Sequence, residues 1–421
     1  MATQVNPPKG MRDFLPADKV RRERVLGVIR ETYRAHGFDE IETPVMEDSS
    51  RLHAGLGGDN EKLAFGVLKR GLTTDDFAAA TEALDLADLG LRFDLTVPLA
   101  RFYASHQAQL PSVFRSIQIA PVWRAEKPQK GRYRQFMQCD IDIIGEPGAL
   151  AEVELLTATT DTLRALGLTG CTIRVNDRRL LTSMLTVLGF PSKEHAAVLI
   201  TIDKLDKLGA TGVVEELRDR AFPPEPIAAL ESFLLKTREA LPFGEAGIRA
   251  ALPAGVDEAA IADLVMLGEA LDGSGMLEFD PFLVRGMGYY TGTIFEVAHP
   301  DFSYSLGGGG RYDGMIGRFL ASDVPAAGIS LGFERLVDLV DLPADAAANA
   351  VALIHDRVSP GVLATLKSAL IADGYRVRLE RKPRNMKTAL DGLMASGFTQ
   401  FAMVTPSTST IADLELKPLA N

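Results

Sequence analysis

Apolar and polar positions alternate most clearly through residues 132–144. Tyr133, Gln135, Met137, Cys139, Ile141 and Ile143 fall on one face of a strand, mostly apolar. Arg132, Arg134, Phe136, Gln138, Asp140 and Asp142 fall on the other. That polar face suits a ligand with a polyanionic end and an ammonium end. The competing reading is a solvated hairpin with ordinary surface charge. Helical spacing predicts a helix over 18–36, where Val25, Leu26, Ile29 and Tyr33 share a face, Pro16 precedes it and Gly37 ends it. Residues 38–45 read as a strand, 152–166 as a helix, 172–175 as a short strand and 178–188 as a further helix.

Between 191 and 277 the pattern becomes helix-rich and acidic, broken at Pro223, Pro224, Pro242 and Pro253. Strand character returns over 279–297, and residues 323–341 predict a strand and a helix. Strands on both sides of a helical insertion point to an α+β layout, one antiparallel sheet flanked by helices. The expected divisions are a first part of the core (1–190), the insertion (191–277), a second part of the core (278–341), a linker (342–350) and a small C-terminal α/β domain (351–421). Within the last, strand, helix, strand, helix, strand alternate, which predicts a parallel sheet.

Composition narrows the class. The 421 residues are enough for two or three domains, with 46% hydrophobic and 24% charged residues as in ordinary globular proteins. A net charge of −11 argues against a generally basic nucleic-acid binder. Locally the sign reverses, since Arg124, Lys127, Lys130, Arg132 and Arg134 face only Glu126 in that stretch. There is neither an apolar run long enough to span a bilayer nor an apolar segment of the kind that directs secretion, so the expectation is a cytoplasmic protein away from membranes. Cys139 and Cys171 make neither a disulfide framework nor a zinc site, and the six histidines lack metal-ligand spacing. No structural metal is expected. The P-loop order of glycines and lysine is absent.

Several blocks carry a resemblance. RAEKPQKGRYRQF (124–136) resembles motif 2 of the class II aminoacyl-tRNA synthetases, in its histidyl-tRNA synthetase form. PPKGMRDFLP (7–16), GFDEIETPVME (37–47, a motif 1 whose proline is Pro44), LRFDLTVPLARF (91–102) and VNDRRLL (175–181) fit the same family, as do VRGMGYYTGTIFE (284–296), GGGGRYDGM (307–315) and GISLGFERL (328–336), the last resembling motif 3. The resemblance implies a class II fold, ATP as substrate with Mg²⁺ accompanying the nucleotide, and L-histidine and tRNA(His) as further partners. Motif 1 implies a homodimer. The C-terminal domain corresponds to the family's anticodon-reading domain and looks short, with little after 414–419 where another strand and a final helix are expected.

Carried over residue by residue, Arg124 resembles the motif 2 arginine on the α-phosphate. Arg285 resembles the arginine that meets that phosphate from the other side, and these two are the expected catalytic residues; Arg285 also counts among the histidine-binding residues that the resemblance implies. Glu126, Arg132, Phe136 and Arg335 complete the ATP site: Glu126 toward the adenine amino group or the loop, Arg132 at the pyrophosphate, Phe136 stacked on adenine. For any one of these arginines the bland alternative is a surface ion pair. Asp94, Thr96, Gln138 and Asp142 match positions holding the amino group of histidine, and Tyr290 and Tyr312 those facing its imidazole; tyrosine pairs are also common in cores. Gly286 and Gly288 would allow close backbone approach beside Arg285. Gly288 stands where the family often has aspartate, and Asp94 and Asp142 stand where many members have glutamate. The run 307–310 reads either as a flexible turn or as a place where the chain passes close to the bound amino acid. The alternative function is the synthetase-like regulatory subunit of ATP phosphoribosyltransferase, which shares the fold without charging tRNA.

Overall fold

The computed structural model describes residues 5–53, 63–129, 131–236, 241–271, 276–285, 288–320, 322–342 and 349–419. Lys130, Gly286 and most of the expected linker (343–348) lie outside the described residues. The chain divides into two compact units, Met1–Arg12 with Leu26–Val340, and Asp13–Val25 with Asp341–Asn421.

The first unit is built on a nine-stranded sheet. Its order is Asp39–Glu40, Phe114–Trp123, Gln135–Ile144, Ala326–Gly332, Phe302–Arg311, Thr293–His299, Thr172–Asp177, Leu277–Phe279 and Leu241–Pro242. The pairs from Phe114–Trp123 through Thr172–Asp177 are antiparallel, and Asp39–Glu40 and Leu277–Phe279 join parallel. Cys139, Ile141 and Ile143 are fully buried on one face, with the helix Leu150–Ala165 packed on their strand and on Ala326–Gly332. Alternation does the rest, turning Gln138, Asp140 and Asp142 to the opposite face.

Register makes that opposite face a continuous floor. Gln118, Asp140, Ser330, Gly308, Glu296, Arg174 and Glu278 are successive cross-strand partners, one row running across the sheet. The next row is Ser116, Asp142, Gly328, Gly310, Ile294 and Asn176. Carboxylates stand toward both ends, with glycine and serine between them. A trough results.

Three local readings are corrected. The motif 2 strand starts at Gln135, not Arg132, because Arg134 N–H donates to the Gly10 carbonyl (2.8 Å) and its Nε to the Glu126 carbonyl (3.0 Å), outside the sheet. Of residues 38–45 only Asp39–Glu40 pair in a strand; Pro44 lacks the N–H a longer ladder needs. Gly307 to Gly310 are not a turn but the end of the strand Phe302–Arg311, paired on both sides.

The helices His195–Ile202, Leu205–Asp219, Pro224–Lys236, Glu245–Ala250 and Glu258–Ala270 fill the expected insertion, and Leu241–Pro242 with Leu277–Phe279 extend the sheet from within it. In the second unit, Ala350–His355, Arg376–Arg381 and Gln400–Val404 form a parallel sheet with the helices Pro360–Ala372 and Met386–Ala395. A two-residue strand, Lys417–Pro418, adds antiparallel to Gln400–Val404. Among the described residues no helix is long and apolar enough to cross a membrane.

Candidate active site

A cavity of about 1410 Å³ lies over the trough, and every residue expected at the site lines it: Asp94, Thr96, Arg124, Glu126, Arg132, Phe136, Gln138, Asp142, Arg285, Tyr290, Tyr312 and Arg335. The volume exceeds the ~300–1,000 Å³ usual for one small ligand, leaving room for two substrates together. Side chains from the insertion, among them Ile202, Asp203 and Leu234, form part of its wall.

One end is cationic. Arg124 leaves the end of the strand Phe114–Trp123, anchors its Nε on the Phe93 carbonyl (2.9 Å) and sits 5.1 Å from the centre of the Phe136 ring. Arg335 opens the helix Phe333–Leu339, donates to the Ser305 carbonyl and lies 4.9 Å from the Tyr304 ring centre. Burial, then the charge of Arg132, lowers the Arg335 pKa, as expected where cations await an anion. Arg132 meanwhile pairs with Glu126 at 3.2 Å.

Arg285 arrives from the opposite direction, on the loop before Thr293–His299. Its φ is +38°, uncommon for a residue with a side chain. Its guanidinium donates to Glu296 at 2.6 Å, and Glu296 also accepts from Arg174. Burial works against the charge of Arg285, but Tyr290, Glu296 and Tyr289 outweigh it and its pKa is raised. Gly308 makes the placement possible: a Cβ there would lie 2.6 Å from the Arg285 Cζ. Gly288, expected to permit close approach, has nothing within 4 Å of its Cβ position, so that role moves to Gly308. Gly328 does the same for the carboxylate opposite, since a Cβ there would lie 1.9 Å from Asp142 Oδ1.

The other end is acidic and dry. Asp94, Asp140 and Asp142 are 2%, 4% and 5% exposed. Burial pushes Asp94 up to about 6, opposed by the Val97 N–H and Arg124. Burial likewise carries Asp142 to about 7, with the Tyr312 hydrogen bond opposing and the Asp94 charge adding. Asp140 is raised well above the usual range by burial and then by Asp142. Asp94 accepts from the N–H of Val97 (3.2 Å) in the first turn of Thr96–His106. Tyr312 donates to Asp142 at 2.6 Å. Among the described residues, Asp94 Oδ2 and Gln138 Oε1 are buried acceptors without a hydrogen-bond partner. Orphaned buried acceptors beside carboxylates are what a bound ammonium group would satisfy.

Tyr289 was missed from sequence. Its ring centre lies 4.8 Å from that of Tyr290 and 5.9 Å from that of Tyr312, and burial raises its phenol pKa. Asp140 and Glu296 were also missed as site residues. Asp140 had a signal, its parity with Gln138 and Asp142; for Glu296 only the register with Gly308 reveals it.

A trough lined by arginines, buried carboxylates and tyrosines joins five distant sequence blocks in one site. The profile of the family described as "Histidyl-tRNA synthetase" matches residues 10–336. The chain belongs to the histidyl-tRNA synthetase family. A histidine--tRNA ligase of Leifsonia xyli subsp. xyli is 60% identical over 431 aligned positions, covering 100% of this chain and 99% of the relative. One from Bacteroides fragilis (strain YCH46) is 36% identical over 81% of this chain and 77% of its own length. The histidyl-tRNA synthetase crystal structure from Nostoc sp. PCC 7120 superposes with a TM-score of 0.77 at 24% identity, over 99% of this chain and 95% of that one. An ATP phosphoribosyltransferase regulatory subunit/histidyl-tRNA synthetase from Bacillus halodurans C gives 0.75 at 21%, over 97% and 100%. These two show the class II synthetase fold of the family. Among the described residues, no group of three or more His, Cys, Asp or Glu could hold a metal ion.

Proposed function

We propose that this chain is a histidine--tRNA ligase that activates L-histidine with ATP and transfers it to the 3′ end of tRNA(His). The observation that carries the reading is the placement of Arg124 and Arg285 in one cavity, on segments flanking two sheet strands that are separated by three others, beside buried carboxylates with orphaned acceptors. The histidine carboxylate would attack the α-phosphorus, the bond to pyrophosphate would break, and negative charge would build on the phosphate oxygens. Arg124 and Arg285 are the groups that would absorb it. Arg335, Arg132, Glu126 and Phe136 would hold the rest of the nucleotide, which arrives with Mg²⁺. A terminal ribose hydroxyl of the tRNA would then attack the mixed anhydride and release AMP.

At the acidic end, Asp94, Thr96, Gln138 and Asp142 would hold the ammonium group, while Tyr290 and Tyr312 would face the imidazole. Burial sharpens selection. An amino acid without matching polar groups would leave buried partners unpaired. In the second unit, the edge strand Arg376–Arg381 brings Arg376 and Arg378 onto the Phe398 ring, each 4.6 Å from its centre, with Arg381, Lys382 and Arg384 following in sequence. This cationic stretch in an acidic protein supports a tRNA-binding role there. A cytoplasmic homodimer completes the reading.

Histidine-dependent ATP–pyrophosphate exchange is the test. The parent should exchange, and Arg285→Ala should lose ~10²–10³-fold in turnover, the usual cost of removing one preorganised donor. A parent protein without exchange would instead favour the regulatory-subunit alternative.

A further inference from the structure

We infer that Asp140 and Ser330 act together as positioning residues that hold the Gln138 amide with its oxygen turned to the amino group of the bound amino acid. This rests on the proposed function and extends it to two further residues lining the same cavity.

The geometry is specific. Gln138 Nε2 donates to Asp140 at 3.2 and 3.4 Å and to the Ser330 hydroxyl at 3.0 Å, so both amide protons have acceptors. Gln138 Oε1 is buried without a partner among the described residues. An amide has two donors on one side and an acceptor on the other, and its orientation follows from what surrounds it. Ionised, as an ammonium group bound alongside favours, Asp140 can only accept, and the amide then presents nitrogen to it and oxygen away from it. Reversal would set Oε1 against a carboxylate and leave the N–H groups toward the incoming ammonium, a repulsive arrangement on both sides.

The register explains why these residues are available. Asp140 and Ser330 are cross-strand partners, and Gln138 stands two residues from Asp140 on the same face. Gly308, the partner of Ser330 on its other side, adds no side chain to compete for the hydroxyl. Three elements of local chemistry thus converge on one amide, and none of them is spent on the fold's core. Asp140 has a second effect: it places another buried carboxylate beside Asp94 and Asp142, strengthening the attraction for a cation once ionised.

The experiment compares parent, Asp140→Asn and Ser330→Ala in pyrophosphate exchange, with 3-(imidazol-4-yl)propionate, which lacks the ammonium group, as competing inhibitor. Asparagine can donate to the Gln138 oxygen and so frees the amide to turn. The expected result is a rise of ~10- to 150-fold in the KM for histidine in Asp140→Asn, the range for one hydrogen bond to a charged group, and a smaller rise in Ser330→Ala. The KM for ATP and the inhibition constant of the propionate should stay within about twofold, since neither involves the ammonium. Ser330→Ala, a deletion of one hydroxyl, keeps the test open if Asp140→Asn does not fold. An unchanged histidine KM in folded variants overturns the inference alone, as does equal weakening of histidine and the propionate. A parent without exchange overturns the proposed function, and this inference with it.

Discussion

Single atoms decide much of this site. Gly308→Ala would put a methyl group 2.6 Å from the Arg285 Cζ and force the guanidinium aside. The expected outcome is a fall of ~10²-fold or more in the kcat of pyrophosphate exchange, with histidine KM little changed, measured by steady-state kinetics. Asp142 gives a pH signature. Its folded pKa of about 7 is above the unfolded value, so it stabilises the ligand-free protein below the unfolded pKa, and that stability is lost as pH rises through the folded value. Asp142→Asn should therefore gain in melting temperature relative to the parent as pH goes from 5 to 8, read by scanning calorimetry without ligand. A constant difference would mean that Asp142 titrates normally. At this scale, parity in one strand was enough to pick out Gln138 and Asp142. Asp140 shared that parity, but its hydrogen bond to Gln138 is visible only once side chains are placed. Glu296 and Tyr289 depend on strands and loops far apart in sequence, beyond the reach of a local pattern.

Elements were legible where periodicity was long. The helices Pro16–Ala35, Leu150–Ala165 and Arg178–Val187 lie within two residues of the expected bounds at each end. The glycine-rich strand was not, because glycine signals turns by default and strand only when neighbours on both sides supply the ladder. That strand ends in Arg311, which grips Glu152 of the helix Leu150–Ala165 through two contacts of 2.7 Å, with side chains 11% and 2% exposed. Glu152→Gln removes the buried two-contact partner but leaves Arg311 the Asp313 carboxylate at 3.2 Å, so it should destabilise the protein by ~1–3 kcal/mol, seen as a lower midpoint in urea unfolding; no change would mean that solvent reaches the pair.

For the whole molecule, the proposal of a homodimer predicts a light-scattering mass about twice the chain's 45.4 kDa at micromolar concentration. The α+β class and the second α/β unit were both readable from the order of strand and helix patterns. What was not readable is that the second unit is discontinuous, because no sequence pattern links residues 13–25 to a segment more than three hundred positions away. That discontinuity bears on synthesis. A chain emerging from the ribosome exposes Asp13–Val25 almost at once, yet the residues grouped with it, Asp341–Asn421, are translated last. The nine-stranded sheet, whose last strand ends at Gly332, can close while translation continues, whereas the smaller unit must wait for release. Nonsense mutations between Val340 and Ala350 would thus leave the nine-stranded sheet whole while removing every strand of the smaller one.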